Sequence, residues 1–401
     1  MIGALAVAGT LVFSGVGPGL PIPAEAFGMH VADLAQTAPA DAGLTAVRLW
    51  DSGVRWDQIE TSRDVYEWSA LDTAVDNARA AGATDILYVL GSTPRWAARN
   101  PGAPGLYGPG TTSLPADPED YLDFTREVAR RYQGRITGYQ IWNEANTRSF
   151  YEGDWTALAR LTRRAYDAVK ITDPAAYVVS ASSTVIPGGL FQTESFFVRY
   201  ARALHQMGDP VDAMAVHLYP VDTSSGPQAR TRSIRAAQRV LNRVGINRPL
   251  WDTEVNYGDR RPGLPTVVPD PDTAAAYVAR TYLDAATMGI ARTYWYGWDL
   301  DVLGIDLTDS TGITTAGRAF LTVRDWLVGA RIAGCQQVGG VRRCHFTSPG
   351  GDPFTVAWTP DGTATLDVAG LEVCRLDGRC TTDEQDLLVG IQPVLLRARD
   401  G

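Results

Sequence analysis

Short apolar runs recur along the first 330 residues, and polar stretches with apolar positions three and four apart follow them. The runs are 26–31, 45–50, 85–90, 137–143, 177–181, 213–218, 249–254 and 292–296, rich in Val, Ile, Tyr and Trp. They do not alternate, so they read as parallel strands buried on both faces. Stretches such as 71–79 and 121–130 keep apolar residues on one side and charges on the other, as amphipathic helices do. Asp117-Pro118 marks a helix start, an Asp cap followed by Pro in the first turn. Gly82, Gly134, Gly208, Gly245 and Gly289 each follow a helical stretch and read as C-terminal stops. Strand then helix, repeated eight times, predicts a (β/α)8 barrel of the TIM type over 27–330. A doubly wound sheet lacks its Gly-rich dinucleotide turn after the first strand. Beyond 330 the rhythm changes. Runs at 341–346, 354–358, 364–368 and 371–374, separated by Gly, Asp-Gly and Pro turns, predict a small antiparallel β-sandwich-like domain over 331–401.

The 401 residues suffice for one large barrel and a small second domain. The net charge is −9, and no basic stripe offers to neutralise phosphates, so nucleic acid is not an expected partner. Lys170 is the only lysine and falls in an amphipathic helix, which removes Schiff-base chemistry at a strand tip. Residues 2–16 are apolar and small, and Ala24-Glu25-Ala26 fits a small-x-small cleavage site, so 1–26 reads as a secretory signal. An N-terminal arm packed on the barrel is the other reading. Gly15, Gly17, Pro18, Gly19 and Pro21 interrupt the run too early for stable membrane insertion. All four cysteines lie in the last segment. Cys335–Cys344 and Cys374–Cys380 are the favoured disulfides, because each pair brackets a short Gly-containing turn. A four-cysteine zinc site is the competitor, but spacings of 8, 29 and 5 residues do not resemble a knuckle pair. Disulfides imply an oxidising compartment, outside the cytoplasm or in the envelope.

Two stretches concentrate the chemistry. Tyr139-Gln-Ile-Trp-Asn-Glu144 and Pro249-Leu-Trp-Asp-Thr-Glu254 are apolar runs that each end in a glutamate, on the fourth and seventh predicted strands. Barrel active sites are assembled from the C-terminal ends of the strands. A pair of carboxyls there, one ionised and one kept protonated by its surroundings, suits cleavage of a glycosidic bond. Glu144 is expected as general acid/base and Glu254 as nucleophile. No metal or other cofactor is expected: the four histidines are scattered without an H-x-x-x-H pair, and neither a P-loop nor a G-x-S-x-G elbow occurs.

Trp142-Asn143-Glu144 with Thr253-Glu254 three strands later resembles the clan A glycoside hydrolases, similar to families 5 and 39, over about 27–330. The resemblance implies a retaining mechanism and assigns further positions. Asn143 would hydrogen-bond the sugar hydroxyl beside the reacting carbon. Arg48 resembles the second-strand arginine that contacts the nucleophile. His217 and Tyr219 resemble the sixth-strand His-x-Tyr pair, and Trp295 the eighth-strand tryptophan under the sugar, with Trp298 as its neighbouring competitor. His30, at the end of the first strand, is a candidate for a sugar hydroxyl. Trp50 and Trp96, near strand tips, are candidates for stacking on the apolar faces of sugars. The expected partner is an oligo- or polysaccharide of plant or microbial cell walls, with β-xylosides and β-galactofuranosides as candidates, cleaved by a monomer. The Gly- and Pro-rich loop 96–118 would wall the cleft and favour removal of terminal sugars. The rival is a glycan-binding protein that keeps the barrel without catalysis; intact Glu144 and Glu254 argue against it, since a binding module has no need of both carboxylates.

Overall fold

The computed structural model describes residues 19–39, 43–185 and 195–399. Eight parallel strands form the first sheet: β1 Phe27–Met29, β2 Ala46–Leu49, β3 Asp85–Leu90, β4 Gly138–Ile141, β5 Tyr177–Val179, β6 Met214–His217, β7 Leu250–Val255 and β8 Ile290–Trp295. Their order is β5-β4-β3-β2-β1-β8-β7-β6. Bridges Val179↔Ala213 and Thr184↔His217 join the two end strands and close the barrel. Among the described residues seven helices of eleven residues or more pack around it: α1 Ser69–Ala80, α2 Pro118–Arg131, α3 Trp155–Thr172, α4 Phe196–Gln206, α5 Pro227–Val244, α6 Pro271–Met288 and α7 Thr315–Leu327. Helix α2 starts as its sequence predicts, with the Asp117 carboxylate accepting from the Glu119 amide and Pro118 in the first turn. Helices α5 and α6 end on Gly245 and Gly289, both left-handed.

The expectation of a helix in every unit fails once. Between β1 and β2 the described residues form only a 3-10 turn, Ala32–Ala35, anchored by buried Leu34. That stretch has no apolar stripe, and Pro39 disfavours helix at the residue before it.

The foot of the barrel is plugged by side chains. Tyr177, Trp251 and Tyr294 fill it among small neighbours such as Ala46, Ala213 and Ala215. Gly138 and Gly28 are required there, because a Cβ at either would run into the Tyr177 or Tyr294 ring. Buried Asp85 accepts from Arg292 and Tyr177, and the Arg292 guanidinium lies 4.3 Å from the Trp251 ring centre. Asp85, Tyr177 and Arg292 thus pair with one another, while Trp251 Nε1 and Tyr294 Oη find no hydrogen-bond partner among the described residues.

After α7 the chain turns at Gly329 into a six-stranded antiparallel sheet, in the order β9-β10-β11-β16-β13-β14. These are β9 Arg331–Val338, β10 Val341–Thr347, β11 Pro353–Trp358, β13 Leu371–Cys374, β14 Cys380–Thr381 and β16 Val394–Ala398. A two-stranded sheet of β12 Ala364–Asp367 and β15 Asp386–Val389 covers one face, enclosing Val341, Leu366, Val373, Leu387 and Leu396. The other face brings Phe346, Phe354 and Trp358 into the same apolar core as the barrel helices. Cys335–Cys344 and Cys374–Cys380 are both joined, each between directly opposed residues of adjacent antiparallel strands.

The segment expected to be an export signal falls mostly on residues 1–18, outside the described residues. Its remainder is built into the fold. Ile22 is buried and exchanges backbone hydrogen bonds with Ala330 and Gly329, and Pro21 bridges to Arg331. Ala24–Ala26, read as a cleavage site, is a 3-10 turn whose Ala24 carbonyl accepts from the Thr45 hydroxyl. Among the described residues no helix is long and apolar enough to cross a membrane.

Candidate active site

Strand β4 ends at Ile141, and the next three residues turn sharply. Trp142 and Glu144 both take positive φ, 68° and 40°. Left-handed backbone costs a non-glycine residue about 1–3 kcal/mol and persists only where the surroundings enforce it. Here the Trp142 amide donates to Leu90, its indole donates to the Phe150 carbonyl, and the Glu144 amide donates to Ser182 Oγ. The turn swings the Glu144 carboxyl into the barrel mouth. Glu254 arrives more simply, within β7, two strands across the closed sheet from the seam.

Arg48 organises the floor between them. Its buried guanidinium donates to Glu254 Oε1 at 2.6 Å, to Asn143 Oδ1 at 2.7 Å and to Gln140 Oε1 at 2.7 Å. An arginine in an apolar strand needs such acceptors, and a carboxylate–guanidinium pair is the strong kind. Glu254 Oε2 accepts from Tyr219 Oη at 2.9 Å. His217 Nδ1 lies 2.8 Å from Glu144 Oε1 and 3.2 Å from Glu254 Oε2. One oxygen of each glutamate and this ring nitrogen all lie within 4.8 Å of one another.

Burial sets the protonation. It pushes the Glu144 carboxyl up to about 7, against the pull of a Thr184 hydrogen bond and the Arg48 charge and with a further push from Asp51. Burial raises Glu254 as well, opposed by His217 and Arg48. Glu254 accepts from Arg48 and Tyr219 besides facing His217, so it is the carboxyl that ionises first. Burial and the Arg48 charge drop His217 to about 3, although Glu254 opposes them, so its imidazole is neutral. Its Nε2 has no hydrogen-bond partner. The proton therefore belongs on Nδ1, where it meets the two carboxyls. In that tautomer Nδ1 is a donor, so the trio suits hydrogen bonding rather than cation binding.

A cavity of about 480 Å³ opens above, with Asn143, Glu144 and Glu254 in its lining. Trp50, Tyr107, Phe150, Tyr219 and Tyr296 contribute aromatic surface. A larger open concavity, about 980 Å³, lies beside Arg260, Asp301 and Asp309 and contains neither glutamate.

The structure brings Asn143, Glu144, Glu254, Arg48, His217, Tyr219 and Trp50 together and separates the remaining candidates from the cavity. Trp295 is fully buried, its indole donating to the Ile305 carbonyl. Side chains alternate along a strand, so the next residue, Tyr296, faces the mouth instead. Trp298 is buried too and does not line the cavity. Trp96 donates to the Glu60 carbonyl and packs edge-on against Trp56, away from the cavity. His30 stands behind the wall. Burial pushes its pKa well down, so neutral Nε2–H donates to the Thr253 carbonyl while the ring edges Tyr296. The sequence reading missed Asp51, Tyr107, Tyr296 and Gln140. Only Tyr296, beside Trp295 in an aromatic triplet, carried a visible signal.

A closed eight-stranded parallel barrel with two carboxyls at its mouth, Glu254 buried and Glu144 partly exposed, has the fold shared by clan A glycoside hydrolases. Among solved structures the chain is similar to a family 39 glycoside hydrolase from Bacteroides cellulosilyticus WH2, with TM-score 0.71 and 18% identity over 94% of this chain and 81% of that one. It is also similar to a glucosidase from Croceicoccus marinus, with TM-score 0.70 and 15% identity over 96% and 98%. A family 39 β-xylosidase from Caulobacter crescentus gives TM-score 0.65 and 16% identity over 96% and 98%. No protein-family model matches the sequence, and no curated protein matches it. At these identities the likeness is one of fold.

Proposed function

We propose that the protein is a retaining glycoside hydrolase acting on β-linked sugars. The approach of Glu144 and Glu254, with oxygens inside 4.8 Å, carries the reading. Retaining enzymes hold their carboxyls roughly 5–5.5 Å apart, whereas inverting ones leave room for a water between them. Glu144, protonated up to about pH 7, gives its proton to the departing glycosidic oxygen. Ionised Glu254 attacks the anomeric carbon from the opposite face and forms a covalent glycosyl ester. Glu144, now a carboxylate, takes a proton from water, which displaces Glu254 and releases the sugar with its configuration kept. Asn143 has its Oδ1 engaged by Arg48, so its amide nitrogen is the group left to donate to the neighbouring sugar hydroxyl. The reaction uses no metal or other cofactor.

The substrate is a cell-wall oligo- or polysaccharide, with β-xylosides and β-galactofuranosides the first candidates. The named glucosidase and β-xylosidase neighbours support a glycosidase generally. Leu106 and Tyr107, from the loop after β3, stand in the cavity wall, which supports removal of terminal sugars. The enzyme acts as a monomer outside the cytoplasm, in keeping with its two disulfides. Residues 27–330 carry the catalysis, and 331–401 stabilise the barrel. Residues 21–26 pack into the fold, so any signal cleavage falls before Pro21 rather than after Ala26.

The test is hydrolysis of an aryl-glycoside panel, pyranosides and furanosides of both anomers, by wild type and Glu254→Gln. Release of one sugar by wild type alone is expected. Equal turnover by the variant would sink the assignment, and sugar binding without turnover on any substrate would favour the glycan-binding rival.

A further inference from the structure

Asp51 follows β2 at the barrel mouth and takes no part in the steps above. It lines the cavity with Glu144 and Glu254. Its Oδ1 accepts from Tyr107 Oη at 2.7 Å and its Oδ2 from Tyr296 Oη at 2.8 Å. The two tyrosines come from different walls, one from the loop after β3 and the other from the end of β8. Trp50 Nε1 donates to Tyr107 Oη at 3.0 Å, which directs the tyrosine's own proton at Asp51. Both tyrosines are raised far above their ordinary range, by burial first and by the Asp51 charge next, so they remain donors. Among the described residues no cation pairs with Asp51. Arg55, the nearby candidate, pairs with Asp57 and lies over the Tyr107 ring.

We propose that Asp51 is the specificity-determining acceptor of this cavity, taking two adjacent ring hydroxyls of the sugar whose anomeric carbon Glu254 attacks. The inference rests on the hydrolase reading of the two glutamates. An ionised carboxylate has about four acceptor sites. The tyrosines fill one on each oxygen, and one on each oxygen is left for a ligand. Two acceptors on one carbon match two hydroxyls on neighbouring carbons, whereas an isolated hydroxyl can use only one. Such hydrogen bonds to a charged acceptor are about twice as strong as neutral ones. A partly buried carboxylate without a cation is also incompletely satisfied until hydroxyls arrive. The Asp51 charge is one of the causes that raise Glu144 and Glu254. Asp51 thus stands close enough to the reacting carboxyls for its sugar to be the one being transferred. The ligand class is an unsubstituted terminal sugar with a free vicinal diol.

The experiment uses the 4-nitrophenyl glycoside that wild type hydrolyses and its monodeoxy derivatives, each lacking one ring hydroxyl, with wild type and Asp51→Asn. A site built to bond a hydroxyl rejects the analogue lacking it strongly, by about 10²-fold or more for a site as open as this one. Wild type should lose that factor in kcat/KM at two adjacent positions. Asp51→Asn should lose about as much on the parent glycoside and discriminate less than about tenfold at those two positions. Removing the charge should also move the alkaline limb of the pH profile downwards, which a purely structural role would not do. An equal loss on the parent and on every deoxy derivative, or no loss at all, would overturn the assignment of Asp51 while leaving the hydrolase reading intact. Absence of wild-type turnover on the whole panel, with no sugar binding by calorimetry, would overturn both.

Discussion

Replacing Glu144 by Gln should make the protein more stable, and increasingly so as the pH rises. Burial moves this carboxyl from its ordinary 4.5 to about 7. The folded protein therefore keeps a proton that the unfolded chain releases. The stability contributed by the protonated form is fully present below 4.5 and is lost as pH rises through 7. The gap, at about 1.4 kcal/mol per pH unit, amounts to ~3 kcal/mol. That is a large part of the ~5–15 kcal/mol by which most proteins are stable. Glutamine is neutral throughout and can still accept from His217 Nδ1–H, so the variant avoids the loss. Urea unfolding of wild type and Glu144→Gln at pH 4 and pH 8 reads the effect directly. The difference between the two proteins should change by ~3 kcal/mol in favour of the variant between these pH values. A difference that stays constant with pH would refute the reasoning, because Glu144 would then titrate as an ordinary surface carboxyl. The same group should set an alkaline limb near pH 7 in wild-type kcat/KM.

Arg48→Met should cut kcat/KM by at least about 10³-fold and move the acidic limb to higher pH, since Glu254 loses its cation. An unmoved acidic limb would contradict the influence of Arg48 on Glu254. Tyr296→Phe should raise KM at nearly unchanged melting temperature, while Trp295→Phe should lower the melting temperature at unchanged KM. Steady-state kinetics beside calorimetry would show whether that division holds. Reduction of the disulfides, which close loops of 9 and 6 residues, should destabilise the protein by about 2–3 kcal/mol per bond. Identical denaturation curves with and without reductant would mean that the crosslinks add nothing.

Much of the barrel was legible because its strands are buried on both faces. A run such as that of β3 or β7 can hardly be read otherwise. The crossover after β1 was not legible, since a loop that lacks an amphipathic pattern still satisfies the rhythm of the units around it. Glu144 and Glu254 stood out because a charge at the end of an apolar run calls for an explanation. The aromatic wall did not. In Tyr294-Trp295-Tyr296 the ring that faces the cavity depends on the phase of the strand, which a single residue of register decides. Asp51 was invisible for a different reason. Its partners lie 56 and 245 residues away, and an aspartate after a strand is common until those hydroxyls are seen to converge on it.

The backbone bonds between Ile22 and residues 329–330 fasten the start of the described chain to the point where barrel passes into β-domain. This has consequences for how such a protein can be rebuilt or inherited. A recombination event that exchanged everything after residue 330 would leave the incoming domain without a matching edge for Pro21 and without the Phe346, Phe354 and Trp358 packing that the helices expect. Barrel and β-domain therefore share one packed interface, and a chain cut or exchanged at residue 330 would leave apolar surface uncovered on both sides.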